Sequence, residues 1–182
     1  MKPYFVELEY PEVPELTAQL RTLLVPEFET KKSFWNIYDH MSLYQKIPKF
    51  KEFITKHFGT IAKLYILVVQ EPPKDKNVLD DNSIHKDTGT EMYRLNWPLQ
   101  NGDTIETRFY STNGNEKKLD LPSGQTYISF NVTDCKHEAS LVLTKPTLFN
   151  VKEAHGLYQR KDAFPRILLS IKFENDISID NF

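Results

Sequence analysis

Residues 82–99 read NSIHKDTGTEMYRLNWPL, and their spacing decides the fold. Two short extended segments are predicted here, 83–87 and 91–99. In the second, apolar Tyr93, Leu95 and Trp97 alternate with polar Arg94 and Asn96. A period of two marks a strand with its two faces in different surroundings.

The same period runs outward from this stretch. From residue 60 onward strands are predicted at 61–70, 83–87, 91–99, 104–112, 125–133, 139–144, 147–151 and 165–174. Turn chemistry separates several of them: NGD at 101–103, NGN at 113–115, PSG at 122–124 and KP at 145–146. The first 60 residues follow another rule. Leu16, Leu20, Leu23 and Leu24 recur at helical spacing in 14–24, behind a proline suited to a first turn. Ile47, Phe50, Phe53, Ile54 and Phe58 do so in 47–59, with Gly59 as a stop. Residues around Phe5 form a short opening strand. Many short strands at regular spacing predict a mainly β chain with N-terminal helices, a double-sheet jelly roll whose helices cover one outer sheet face. We expect one domain over 1–182: a helical and strand cover at 1–59, a jelly-roll core at 60–174, and a tail at 175–182.

Composition narrows the function classes. Hydrophobic residues make up 40% of 182 and aromatics 13%, enough for a folded core. The 23 Lys and Arg are interspersed with 25 Asp and Glu, for a formal net charge of -2. No basic footprint for nucleic acid or an anionic membrane results. Cys135 is the single cysteine, so no internal disulfide forms and a reducing compartment is expected. The start of the chain lacks a signal-peptide pattern, and LYILVV at 64–69 is too short to span a bilayer. A soluble, cytoplasmic protein is the expectation.

His85 and Asp87 stand at i and i+2 in an extended segment, so both side chains point to one face and converge on one ion. Among five histidines an H-x-D or H-x-E pair arises by chance about half the time, so the pair needs support. An imidazole and a carboxylate are two members of a 2-His-1-carboxylate triad, which leaves coordination positions open. The second histidine must come from His40, His57, His137 or His155. His57 falls in the last turn of a predicted helix, where it offsets the helix dipole. Surface placement suits His40 and also His137, in the polar turn DCKHEAS. His155 stands just ahead of the final apolar strand. In that strand, PRILLSIKF, Arg166, Leu168, Ser170 and Lys172 share one face, and Ile167, Leu169, Ile171 and Phe173 share the other. Arg166 either meets an anionic partner, since an unpaired inward guanidinium is costly, or points to water from an edge strand.

H-x-D, a distant His, and an Arg eleven residues beyond it resemble the Fe(II)/2-oxoglutarate-dependent dioxygenase superfamily, over residues 60–174. IHKD resembles its H-x-D strand, and YRLNWPL the strand that follows in small stand-alone members. KPTLFNVKEAHGLYQRKDAFPRILLSIKF resembles the distal ligand strand with its terminal arginine. The resemblance implies a double-stranded β-helix with helices packed on the major sheet. It also implies Fe(II) on His85, Asp87 and His155, with Mn(II), Co(II) or Ni(II) as surrogates. 2-Oxoglutarate would be the co-substrate, its distal carboxylate on Arg166, and dioxygen the oxidant for hydroxylation of a small-molecule or peptide substrate. Some branches carry Ser or Thr two residues after the arginine; here that place is Leu168, and the hydroxyl comes at Ser170. Ser170 and Asn96, a polar residue in an apolar strand, are therefore candidate further contacts, as is Tyr65. A cupin-like metalloenzyme without 2-oxoglutarate and a non-catalytic jelly-roll module for an acidic ligand are the alternatives. The charged loop 71–83 is either a lid or a solvated connector. Trp35, Tyr38 and Trp97 line a pocket or pack, with packing expected for at least two.

Overall fold

The computed structural model describes residues 3–70, 84–120 and 126–179. In chain order the elements are β1 (Phe5–Glu7), α1 (Val13–Phe28), β2 (Trp35–Ile37), α2 (His40–Lys46), α3 (Pro48–His57), β3 (Ile61–Val69), β4 (Ile84–Asp87), β5 (Tyr93–Gln100), β6 (Ile105–Thr112), β7 (Lys117–Asp120), β8 (Thr126–Phe130), β9 (Cys135–Val142), β10 (Thr147–Asn150), β11 (Ala154–Gln159) and β12 (Arg166–Phe173). The strands form two antiparallel sheets. One has the order β1-β10-β5-β12-β3-β2, the other β7-β8-β4-β11-β6-β9. From β3 to β6 each successive strand changes sheet, and β9 to β12 return between them. That is the double-stranded β-helix, a jelly roll.

The helices lie on the outer face of the first sheet. Leu16, Leu20 and Leu24 of α1 and Phe50, Phe53 and Ile54 of α3 share one core with Leu95, Trp97, Leu169 and Ile171. Pro14 and Pro48 start α1 and α3. Gly59, at φ +87°, ends α3, and its N–H donates to the Ile54 carbonyl. Between the sheets a smaller cluster forms from Leu67, Phe109, Leu141, Leu143, Phe149 and Leu168. Cys135 opens β9, half-buried, with its thiol pushed up by burial.

Five elements depart from the sequence expectation. Helix α2 is a third helix, capped by Asp39, whose carboxylate accepts from the Met41 and Ser42 N–H groups at 3.0 and 3.2 Å. Strands β2 and β7 are short edge strands without an apolar period. His155, ahead of the last strand as expected, sits inside an additional strand, β11, that the sequence pattern does not predict. His137 lies on β9 rather than in a turn. The loop 71–83 and the PSG turn at 122–124 lie outside the described residues. Among the described residues, no helix is long and apolar enough to cross a membrane.

Candidate metal centre

Strand β4 is anchored by its outward side chains. Ile84 is fully buried with Phe130 and Ala154, and the Lys86 ammonium lies 5.0 Å from the Phe130 ring centre. His85 and Asp87 are thereby turned to the space between the sheets, and a slip of one residue would turn them out. Strand β11 pairs with β4 at His155↔His85 and with β6 at His155↔Phe109. The pairing brings the two imidazoles to 4.5 Å between ring centres. His85 Nε2 lies 3.9 Å from Asp87 Oδ1, and ligand atoms of His85, Asp87 and His155 all lie within 4.8 Å of one another. Among the described residues this is the one such gathering of His, Cys, Asp and Glu.

The surroundings prepare these groups as donors. The Glu153 carbonyl lies 2.9 Å from His155 Nδ1, which donates to it and leaves Nε2 with a free lone pair. Burial, reinforced by His85, lowers the His155 pKa to about 3, so the ring is neutral. Phe149 meets that ring edge-on at 4.8 Å. Burial pushes the Asp87 carboxyl up, against the pull of Arg94 and His85. Arg94 Nη2 lies 3.2 Å from Asp87 Oδ2, so Oδ1 is the oxygen turned to the histidines. Two imidazoles and one carboxylate in an inward-facing cluster form a donor set that fits a divalent transition metal and leaves positions open.

Both histidines and Asp87 line a cavity of about 320 Å³, and so do Arg166, Asn96 and Ser170. That volume suits a small molecule. Arg166 is 4% exposed, and burial lowers its pKa to about 10, which leaves it charged at neutral pH. Arg166 Nε, Ser170 Oγ and Asn96 Oδ1 are buried without a hydrogen-bond partner. Buried polar atoms in this condition are uncommon in proteins and ask for a ligand or water. The edge-strand alternative for Arg166 does not hold: β12 is central, between β5 and β3. The chain before it is held by Thr104 Oγ1 donating to the Ala163 carbonyl at 2.8 Å and Asn101 Nδ2 donating to the Pro165 carbonyl at 2.9 Å.

The remaining histidines stand elsewhere. His57 is in the last turn of α3 against Tyr10 and Phe53, its pKa lowered by burial. His40 opens α2 beside Tyr44, and exposed His137 bonds the Ala139 carbonyl. Trp97 is fully buried under the helices and Tyr38 packs against the same core, whereas Trp35 lines the cavity. Tyr65 does not line this cavity; it lines a second, polar cavity beside it.

No protein-family model and no curated protein matches the chain. Several solved structures resemble it, among them two of one epimerase. The epimerase SnoN in complex with Fe3+, alpha ketoglutarate and nogalamycin RO is 16% identical at a TM-score of 0.49, covering 92% of this chain and 77% of that one. The non-heme alpha ketoglutarate dependent epimerase SnoN from nogalamycin biosynthesis is 17% identical at 0.45, covering 92% and 76%. At those values the likeness says nothing about chemistry in this chain.

The sequence reading passed over Arg94, Glu91 and Lys172. Arg94 Nη2 lies 2.6 Å from Glu91 Oε1, and Lys172 Nζ lies 2.7 Å from Glu91 Oε2. Burial alone would raise the Glu91 carboxyl, yet hydrogen bonds from Lys172 and Arg94 hold it at about 2. The signal is in the sequence: an inward Arg in an apolar strand needs an anionic partner.

Proposed function

We propose that this chain is an Fe(II)- and 2-oxoglutarate-dependent dioxygenase that hydroxylates a small molecule or an amino-acid side chain. One observation carries the reading: a His-Asp-His cluster and a buried guanidinium with an unpartnered Nε line one cavity. His85, Asp87 and His155 would hold the metal. Arg166 would take the distal carboxylate of 2-oxoglutarate in a charge-assisted pair, with Ser170 Oγ and Asn96 as neighbouring polar contacts. When bound, iron and 2-oxoglutarate supply, with dioxygen, the oxidation of a C–H bond, yielding alcohol, succinate and carbon dioxide.

The protein's own part is positioning and exclusion of water. The Glu153 carbonyl fixes the His155 ring, and Arg94 orients the Asp87 carboxylate. Leu67, Leu141, Leu143 and Leu168 wall the cavity around Arg166, which strengthens a carboxylate–guanidinium pair by keeping it dry. The test needs no substrate. Purified protein with Fe(II) should convert 2-oxoglutarate to succinate slowly in air, and His155→Ala should not. Parent protein that binds the metal but forms no succinate points instead to a metalloenzyme of another kind. Protein that binds no metal leaves a binding module.

A further inference from the structure

The inner face of β12 continues past Ser170 to Lys172, which is in register with Lys63 on β3. Asn96 is in register with Ser170, so Arg94, two residues back on β5, stands at the same end. There a second cavity of about 290 Å³ opens, lined by Lys63, Tyr65, Glu91, Arg94, Tyr127 and Lys172. It shares Asp87, Arg94 and Tyr127 with the first, so the two cavities meet at the candidate metal centre. Arg166 stands six residues from Lys172 along β12, about 20 Å at strand rise, at the far end. The first cavity is mostly apolar around one buried arginine; the second is polar and carries three cations.

Its charges do not balance. Glu91 pairs with both Arg94 and Lys172, and Asp87 pairs with Arg94. Lys63 is exposed and has no ion pair among the described residues. Among the described residues, three cations stand there against two carboxylates, one of which a metal would claim.

We propose that this second cavity receives the substrate to be oxidised, and that the substrate carries an anionic group, carboxylate or phosphate, which Lys63 engages. The proposal rests on the reading of the first cavity as the 2-oxoglutarate site. Its geometry follows directly: a molecule held by Lys63 lies on the other side of Asp87 from Arg166, and a reacting carbon between them faces the metal ligands.

The test is ligand-observed NMR titration of N-acetyl amino acids, their primary amides and glycerol 3-phosphate, in metal-free and Mn(II)-loaded protein. An anionic probe should bind at least about tenfold more tightly than its neutral counterpart, as a charge-assisted contact implies. Lys63→Ala should erase that preference, Lys63→Arg should restore much of it, and Arg166→Ala should leave it intact. In the Mn(II) sample the bound probe's protons should relax fast, which places them near the ion. Carboxylate against phosphate probes tells which anion is read. Acids and amides binding alike, no binding of either, or a preference lost in Arg166→Ala but kept in Lys63→Ala overturns the proposal. Mn(II) titration of the parent is scored separately. Its failure sinks the metal reading, while the Lys63 comparison in metal-free protein still decides the anion site.

Discussion

On the outer face of β12, Ile167, Leu169, Ile171 and Phe173 are buried beneath the helices, every one of them apolar. On its inner face Arg166, Leu168, Ser170 and Lys172 look into two cavities, and Arg166 Nε and Ser170 Oγ have no partner. The two faces belong to the same backbone, so the contrast lies in the side chains alone. The outer face stabilises the fold by removing apolar surface from water. The inner face gives up part of that gain, since a buried polar atom without a partner costs about 1–3 kcal/mol. Proteins tolerate such groups where a ligand satisfies them.

The largest effect should come from the outer face. Trp97 is fully buried, meets Phe50 and Phe53 edge-on at 5.7 and 5.8 Å, and donates from Nε1 to Thr17 Oγ1 at 2.8 Å. Trp97→Ala should lower stability by about 3–5 kcal/mol, read as a drop in the urea midpoint. A drop below about 1 kcal/mol would mean that the helical layer does not depend on this face.

The metal ligands come next, and they should behave in the opposite way. His85→Ala and His155→Ala remove a half-buried and a buried imidazole from the inner face, so the urea midpoint should move little. Affinity for Mn(II) should fall at least about a hundredfold, beyond what loss of an outer contact to a ligand causes. His57→Ala and His137→Ala should bind Mn(II) like the parent. Metal binding that survives in both first variants breaks the assignment.

Arg166 separates an oxygenase from its rivals. Arg166→Ala should keep Mn(II) affinity near normal and weaken 2-oxoglutarate by tens of fold, as loss of about 2–3 kcal/mol implies. Arg166→Lys should recover part, because an ammonium lacks the planar fork. Calorimetric titration of 2-oxoglutarate into the Mn(II)-loaded protein reads both. Equal affinity in parent and alanine variant would move the anchor elsewhere.

The contrast between faces also explains what the sequence could tell. The period-two runs at β3, β5 and β12 are legible because one face is apolar throughout. Strand β11 was missed because its outward positions are Ala154 and Gly156, small residues that leave no apolar period in AHGLYQ. On the edge strand β9 polar residues stand on both faces through its first half, so DCKHEAS reads as a turn. His85 and Asp87 were legible through their i, i+2 spacing. The contacts of Arg94 with Asp87 and of Lys172 with Glu91 join residues up to 81 positions apart, and local spacing carries no record of such a pairing. The excess of cations beside Asp87 among the described residues emerges only once β3, β5 and β12 are laid side by side.

The smallest effect should be the sharpest test of the contrast, because its two readouts should move in opposite directions. Ser170 is 1% exposed, is in register with both Asn96 and Tyr65, and its Oγ has no hydrogen-bond partner. Ser170→Ala removes a desolvated hydroxyl and leaves a smaller apolar side chain. Without ligand the variant should be as stable as the parent, or more stable by up to about 1 kcal/mol, because the unmet hydrogen bond disappears. If Ser170 Oγ serves the co-substrate, 2-oxoglutarate affinity should fall severalfold, the range of one neutral hydrogen bond of about 0.5–1.5 kcal/mol. Stability lost together with affinity would show Ser170 to be an ordinary part of the packing. Stability gained with affinity unchanged would leave the hydroxyl unpaired in the complex too, and Asn96 would be the remaining polar neighbour for the carboxylate that Arg166 holds.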